Sequence, residues 1–439
     1  MQDFKEGMEK ACKMMSKKEK LVVTEGTELE SFLDASHPLY QLANILNWEN
    51  LIKEFGAYYV EKTGRPGIPI GVIAGLHYLK YLENESDESV IEKFCENPYW
   101  QYFCGFKTFQ HRFPCHPTSL VKWRKRIGEA GVEKLLTETI DTAKREGLLP
   151  KKLCSRVNVD TTVQEKAVCF PTDARLYDKL RRKLVKASEK RQVELRQSYH
   201  RLGKVALLMQ GRYAHARQMK RSRKEIKKLK TYLGRVMRDV NRKVPAPDAE
   251  LKQLLCFSER LLQQKKTDKQ KLYSLHAPET ECITKGKARV KYEFGCKVAV
   301  TTTCKDPWVI SIFAEHGNPY DGHTLKKSIA QSVRTTGIKV KEAFVDQGYR
   351  GKENHPDGVN VYLAGTKRLP KFLNKLLRGR SGIEPIIGHL KEEHKLKKNY
   401  LLGKTGDKIN ALFAGTAFNL RKIIRLISNQ NKPSMLSYA

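Results

Sequence analysis

The sequence predicts a mixed α/β protein in which an all-helical N-terminal domain precedes a sheet and a long basic helical insertion follows the first strand. Apolar residues recur with helical spacing from residue 38 to 147, but in Arg156–Gln164 they alternate one by one with polar residues, as in a strand. Helical spacing returns in residues 174–271, and more strand-like segments follow. Strands that are followed by alternating helices and strands are typical of a mixed sheet.

The N-terminal domain is predicted to span residues 38–147, after a polar arm at residues 1–37. Asp87 and Thr118 are plausible N-caps for two of its helices. The predicted helices of this domain are 39–46, 48–59, 69–83, 88–96, 118–127 and 132–146.

The helix at residues 118–127 is strongly basic and follows a short loop, which is typical of a helix-turn-helix recognition helix. In that interpretation Lys122, Arg124 and Arg126 bind DNA. The alternative is a solvated basic face that packs on the domain through Leu120, Trp123 and Ile127. The residues alone leave both interpretations open.

The insertion at residues 179–271 carries much of the charge of the chain. It contains 29 Lys or Arg and 8 Asp or Glu, a net charge of +21. The segment Val244–Pro247 interrupts its helical pattern, so we expect a pair of long exposed helices joined by a proline-containing turn. We interpret it as an arm that neutralises DNA phosphates, and solubility or contacts within a homodimer are the alternatives.

Composition points to a polyanionic partner inside the cell. The 439 residues include 83 Lys or Arg and 48 Asp or Glu, which gives a net charge of +35 and a pI near 9.7. Nucleic acid is the commonest partner of such a chain. The sequence has no apolar run near the roughly 18–20 residues of a membrane span, no secretory signal and no CxxC pair among ten cysteines. We therefore expect a cytoplasmic, nucleoid-associated bacterial protein.

After the insertion the pattern alternates between strands and helices. Gly295 and Lys305–Pro307 are interpreted as the turns of an antiparallel meander, and Gly337 as the cap that ends a helix. The predicted catalytic core thus comprises residues 148–178 and 272–428, with a tail at 429–439. Its predicted strands are 288–294, 296–303, 308–314, 343–346 and 359–363, and its helices are 323–334, 382–394 and 407–428.

Three carboxylates lie where secondary structure can bring them together. Asp160 is on the polar side of the first strand, Asp346 ends a short apolar strand, and Glu384 opens a helix. Three carboxylates form the hard-oxygen site that Mg²⁺ or Mn²⁺ prefers, and two such ions support phosphodiester chemistry. Taken singly, each Asp could be a turn residue, and Glu384 could complete a capping box with Ser381.

The segments around these carboxylates resemble the DDE-type transposases of bacterial insertion sequences, which have a ribonuclease-H-like core. Val157–Gln164 with Phe170–Asp173 resembles the first-Asp strand, and Ala343–Gly351 resembles the second-Asp strand with its glycine loop. Arg380, Glu384 and Lys391 match the Arg-(3)-Glu-(6)-Lys part of the Tyr-(2)-Arg-(3)-Glu-(6)-Lys signature, whose Tyr position is occupied by Leu377. The N-terminal helices and the loop Gly317–Thr324 are also similar to this family.

The resemblance implies a transposase that binds terminal inverted repeats, cleaves at the ends of the element and joins the 3′-hydroxyl to target DNA, as a homodimer in the synaptic complex. It implies that Asp160, Asp346 and Glu384 hold two Mg²⁺ or Mn²⁺ ions, and that Arg380 and Lys391 contact DNA. His323 is a secondary candidate. The alternatives are a catalytically silent, domesticated DNA-binding regulator and a structure-specific nuclease on the same core.

Overall fold

The computed structural model describes residues 28–59, 67–112, 115–265, 267–268, 270–284 and 292–430. The described residues divide into two compact units. Unit 1 comprises the residues up to Gln164 together with those from Lys297 onward, and unit 2 is Glu165–Cys296.

The N-terminal part of unit 1 is helical, in agreement with the sequence pattern. Helix α4 is buried on every side, whereas α7 joins two predicted helices across a kink at Gly128, where φ is +60°. Helix α6, with Asn97 as its N-cap, was not predicted. The helices are α1 (Leu29–Phe32), α2 (Pro38–Ile45), α3 (Trp48–Gly56), α4 (Ile70–Leu82), α5 (Ser89–Glu96), α6 (Pro98–Phe103) and α7 (Pro117–Arg145).

Two of the predicted helix caps are wrong. The side chain that caps α7 is His116, which accepts a hydrogen bond from the backbone N–H of Thr118 at 3.3 Å. Asp87 does not cap α5, because its carboxylate is bound by Lys80 and Arg124. Charged partners from neighbouring helices therefore outcompete the local role that the sequence suggested.

The described residues of unit 2 include a bundle of four helices with its own apolar core, so the prediction of two long exposed helices is wrong. Leucines from different helices, such as Leu180, Leu233 and Leu251, are fully buried although charged residues surround them in the sequence. The Val244–Pro247 segment does separate two helices, and Asp248 caps the second of them. The helices are α8 (Asp173–Lys190), α9 (His200–His215), α10 (Met219–Lys243) and α11 (Ala249–Gln263).

The strands form one mixed sheet in the order β2-β3-β1-β5-β6, in which β4 pairs with β3 and β7 with β1. Strands β1, β5 and β6 are parallel, whereas β3 pairs antiparallel with β2 and β4. The strands are β1 (Arg156–Lys166), β2 (Glu281–Thr284), β3 (Tyr292–Thr303), β4 (Val309–Glu315), β5 (Glu342–Val345), β6 (Asn360–Leu363) and β7 (Lys398–Asn399).

Gly295 is not a turn, because β3 runs through it without a break. Its backbone pairs with Glu281 of β2, a strand that was not predicted. The predicted strand 288–294 lies partly outside the described residues, and its described end belongs to β3. The turn at Lys305–Pro307 is confirmed as the connection between β3 and β4.

Four helices of unit 1 follow the hairpin of β3 and β4. Gly337 ends the first of them with φ +66°, as predicted. The last packs against α7, α4 and β4, and its Asn419 side chain bonds both backbone groups of Val309 at 2.8 and 3.0 Å. The helices are α12 (Asp321–Thr336), α13 (Lys371–Arg378), which was not predicted, α14 (Ile383–Glu392) and α15 (Gly403–Gln430). Among the described residues, no helix is long and apolar enough to cross a membrane.

Candidate functional site

The pairing of β1 with β5 brings two of the predicted carboxylates together. Val157 and Asn158 lie opposite Ala343 and Phe344 in a parallel register. Two residues further along this register, Asp160 comes beside Asp346, immediately after the end of β5. The carboxyl ends of parallel strands are where α/β proteins gather ligands and catalytic groups.

The carboxylate of Asp160 is mostly buried, with 18% of its side chain exposed. Burial, with Asp346 and Asp321 adding like charge, raises the pKa of Asp160 to about 6. The backbone N–H of Thr161 donates to it at 2.7 Å, and a guanidinium nitrogen of Arg380 lies 3.5 Å away. A carboxylate held against this much burial and like charge is typical of a functional site.

Asp346 opens a tight turn that brings backbone close to the carboxylates. It accepts the backbone N–H of Gly348 at 2.8 Å, at the start of a 3₁₀ turn over Gln347–Tyr349. A Cβ at Gly348 would lie 3.0 Å from Oδ1 of Asp346 and 3.1 Å from Oδ2 of Asp321. Glycine therefore leaves open a small space between two carboxylates.

Asp321 is a site residue that the sequence interpretation missed. It is the first residue of α12, and its Oδ1 accepts hydrogen bonds from Thr161 Oγ1 at 2.9 Å and from Lys297 Nζ at 2.8 Å. The available signal was its place in the turn-rich loop Gly317–Gly322, directly before a predicted helix. Neighbouring His323 is exposed and its ring packs edge-on against Tyr320.

The signature segment is brought to the site only in part. Arg380, in a 3₁₀ turn before α14, contacts Asp160, whereas Glu384 is exposed in the first turn of α14. Lys391 lies half-buried on the last turn of the same helix.

The capping alternative for Glu384 is not what the structure contains. The N-cap of α14 is Gly382, which has no side chain, and the cap has no side-chain hydrogen bond. The alternative that Asp346 is a turn residue is realised in its bond to Gly348, but the same side chain also faces Asp160 and Asp321. A turn role and a site role therefore coexist at Asp346.

Arg124 of the candidate recognition helix has a structural role. It is buried, with both terminal nitrogens bonded to the carboxylate of Asp87 at 2.6 and 2.7 Å. Burial would raise the pKa of Asp87, but the hydrogen bonds and charges of Arg124 and Lys80 hold it well below its usual range. Arg124 is therefore held by Asp87, whereas Lys122 and Arg126 are exposed, and DNA binding by these three residues stays a prediction.

The packing alternative for this helix is confirmed in its details, since Leu120, Trp123 and Ile127 are all buried. An exposed basic face and a packed apolar face occur on the same segment, so the two interpretations do not exclude each other for Lys122 and Arg126. The guanidinium of Arg126 lies over the ring of Tyr59 at 4.7 Å.

The donor set at the end of β5 suits a divalent cation. Asp160, Asp346 and Asp321 are carboxylates, which are the ligands that Mg²⁺ and Mn²⁺ prefer, and Gly348 leaves space between two of them. Among the described residues, however, neither Asp160, Asp346 and Glu384 nor Asp160, Asp346 and Asp321 form a set whose oxygens all lie within 4.8 Å of one another. A single ion between Asp160 and Asp346 would therefore meet a third carboxylate, from either Asp321 or Glu384, through a bound water or after a side-chain movement.

Comparisons with known proteins define the class of this chain. Residues 27–126 match the family described as Transposase domain (DUF772), so the protein is transposase-like. The chain is 45% identical over 190 residues to the uncharacterized protein ORF8 in the nfe locus of Rhizobium meliloti, an alignment that covers 43% of this chain and 91% of that protein. The chain therefore belongs to the same family as ORF8. No solved structure matches it.

Proposed function

We propose that this protein is the DDE-type transposase of a bacterial insertion sequence and that its mixed sheet is a ribonuclease-H-like core. The observation that carries the proposal is the position of Asp160, on β1, beside Asp346, directly after the parallel strand β5, with Arg380 against Asp160. The transposase-domain match at residues 27–126 supports it independently, because that segment lies outside the sheet.

The proposed partner is double-stranded DNA, namely the terminal inverted repeats of the element and the target. Helix α10 offers a suitable surface, because 11 of its 25 residues are Lys or Arg and only two are acidic. At 1.5 Å per residue it is about 36 Å long, close to one turn of DNA. Lys220, Lys224 and Lys227 are exposed on it, and none has an acidic partner among the described residues.

We further propose that two Mg²⁺ or Mn²⁺ ions are held by Asp160, Asp346 and Glu384, with Glu384 assigned by its place in the signature. When bound, such ions activate the attacking oxygen and stabilise the leaving oxygen of a phosphodiester. Glu384 is exposed in the first turn of α14, one turn beyond Arg380, which contacts Asp160.

The residues of the chain have distinct roles in the proposed reaction. Arg380 orients the Asp160 carboxylate and, with Lys391, balances the phosphate charge of the scissile strand. Water attacks the phosphorus at the end of the element, the bond to the 3′-oxygen breaks, and the 3′-hydroxyl leaves. This hydroxyl then attacks a target phosphodiester, forming one bond as another breaks. Synapsis of two ends calls for a homodimer acting on chromosomal DNA in the cytoplasm.

The test uses the full chain with DNA fragments that carry the sequences flanking its gene. In Mg²⁺ we expect strand cleavage at the end of an inverted repeat and, with a pre-cleaved 3′-hydroxyl end, joining to a target plasmid. Asp160→Asn should bind the same fragment without cleaving it. Cleavage without joining would establish the structure-specific nuclease instead, and binding with neither reaction would establish the silent regulator.

A further inference from the structure

Asp321 is fixed in place by groups that belong to the candidate site. Its Oδ1 accepts hydrogen bonds from Thr161, the neighbour of Asp160, and from Lys297, whose ammonium also donates to the backbone oxygen of Pro319 at 2.6 Å. With Oδ1 bonded on two sides, the carboxylate plane cannot turn freely. The direction of the other oxygen is therefore set by the fold.

That other oxygen, Oδ2, faces the space at Gly348. A Cβ atom placed on Gly348 would lie 3.1 Å from Oδ2 of Asp321 and 3.0 Å from Oδ1 of Asp346. Two negatively charged oxygens therefore border the same small volume, next to a residue that has no side chain to fill it. In the described part of the chain, Oδ2 of Asp321 has no hydrogen-bond donor.

Tyr349 supplies an independent observation at the same place. Its side chain is fully buried, and its hydroxyl has no partner at normal hydrogen-bond geometry among the described residues. Burial, and then the charges of Asp160, Asp321 and Asp346, raise the pKa of this hydroxyl, and a side-chain interaction with Thr324 offsets part of the rise. The hydroxyl therefore lies near all three carboxylates. A buried hydroxyl is normally hydrogen-bonded, and a hydrated cation between the carboxylates would bring the water that satisfies it.

We propose that Asp321 contributes Oδ2 as a third carboxylate, through a bound water, to the divalent-cation site of Asp160 and Asp346. This inference rests on the proposed metal site and adds to it a residue outside the Asp-Asp-Glu set. The local charge agrees with it, because only two cationic side chains, Lys297 and Arg380, contact the three carboxylates among the described residues. Mg²⁺ and Mn²⁺ commonly keep several waters, which suits a site of widely set carboxylates.

The test measures binding of Mn²⁺ to the full chain without DNA, by the loss of the free-ion signal in electron paramagnetic resonance. Asp321→Asn keeps an amide oxygen for Thr161 and Lys297 but removes the charge. We expect it to bind Mn²⁺ about tenfold more weakly or worse, since even changes that only misorient a ligand cost 10–100-fold in metal affinity. Exposed Asp357 lies outside the site, and Asp357→Asn, the same charge change, should bind Mn²⁺ like wild type.

A second measurement separates loss of a ligand from loss of the fold. The melting temperature of Asp321→Asn without metal should match wild type, whereas its rise on addition of Mn²⁺ should shrink. If Asp160→Asn and Asp346→Asn weaken Mn²⁺ binding and Asp321→Asn does not, the role of Asp321 is overturned and the proposed metal site stands. If wild type shows no saturable Mn²⁺ binding, both are overturned.

Discussion

The carboxylate cluster (Asp160, Asp321 and Asp346) and the basic helical bundle of unit 2 handle charge in opposite ways. The cluster concentrates three like charges in a mostly buried place, at a cost that is visible in the raised pKa of Asp160. The bundle carries far more charge, but it keeps its basic groups at the surface and buries leucines. A solvated charge costs the folded state little free energy. Burying several like charges together is unfavourable, so such a group is expected to be kept for a function.

This difference indicates where the chemistry resides. A surface of lysines is unspecific, because it attracts any polyanion and its attraction depends little on exact geometry. The cluster depends on strand register, since a shift of β5 by one residue would turn Asp346 away from Asp160. We therefore expect substitutions in the cluster to affect reaction and substitutions in the bundle to affect affinity or stability.

The largest effect should come from the two aspartates on adjacent strands. We expect Asp160→Asn and Asp346→Asn each to lower the rate of end cleavage roughly a thousandfold or more, because a metal site supplies several kcal/mol of transition-state stabilisation and each 1.4 kcal/mol is about tenfold. DNA affinity, measured by a filter-binding assay, should not fall. Near-normal cleavage by either variant would remove that residue from the site.

Glu384 should have the next largest effect if α14 approaches the cluster during the reaction. Glu384→Gln should strongly reduce cleavage in Mg²⁺ and leave the melting temperature unchanged, because Glu384 is exposed and forms no cap. The matched control is Glu392→Gln on the same helix, which loses only a surface ion pair with Lys397, worth about 0–1 kcal/mol. Full activity of Glu384→Gln would exclude Glu384 from catalysis.

A cavity made in the core of the bundle should lower the stability of the protein. Leu233→Ala should lower the free energy of unfolding by roughly 2–5 kcal/mol, since Leu233 is fully buried and truncation leaves a cavity. Leu202 of α9 is 52% exposed, so Leu202→Ala should change it by less than about 0.5 kcal/mol. Equal stabilities in urea titrations would mean that the bundle has no cooperative core of its own.

The smallest effect is expected on the surface of α10. Changing Lys220, Lys224 and Lys227 to Gln should make the plot of log affinity against log salt shallower by roughly 0.9 for each phosphate that the variant no longer neutralises. The matched Lys→Arg triple keeps the charge and should keep the slope. An unchanged slope in the Gln triple would mean that α10 does not contact DNA, and that its charge serves solubility or contacts with a second subunit.

A deletion of residues 179–271 would not test the same question. The core of the bundle includes Leu176 and Tyr177 before that range and Leu272 and Leu275 after it. Removing the middle would expose these residues and destabilise what remains. Surface substitutions are therefore the sharper experiment.

Local chemistry was sufficient to predict most elements of the fold. The alternation in Arg156–Gln164, the helical periods of α2 to α5 and the stop at Gly337 depend on neighbouring residues, so they are readable without a structure. The prediction failed at Gly295, where pairing with β2 keeps a glycine inside a strand. It also failed in unit 2, where a high charge content concealed the number of helices.

The sequence by itself therefore determined the mixed α/β class, the basic character of residues 179–271 and the identity of Asp160 and Asp346 as candidate site residues. Only the tertiary structure decided that Arg124 is buried against Asp87, that Asp321 lies near the two other aspartates and that Glu384 is exposed. The physical reason is range. Periodicity and turn preference act over a few residues, whereas ion pairs and strand register join positions that are far apart in the chain.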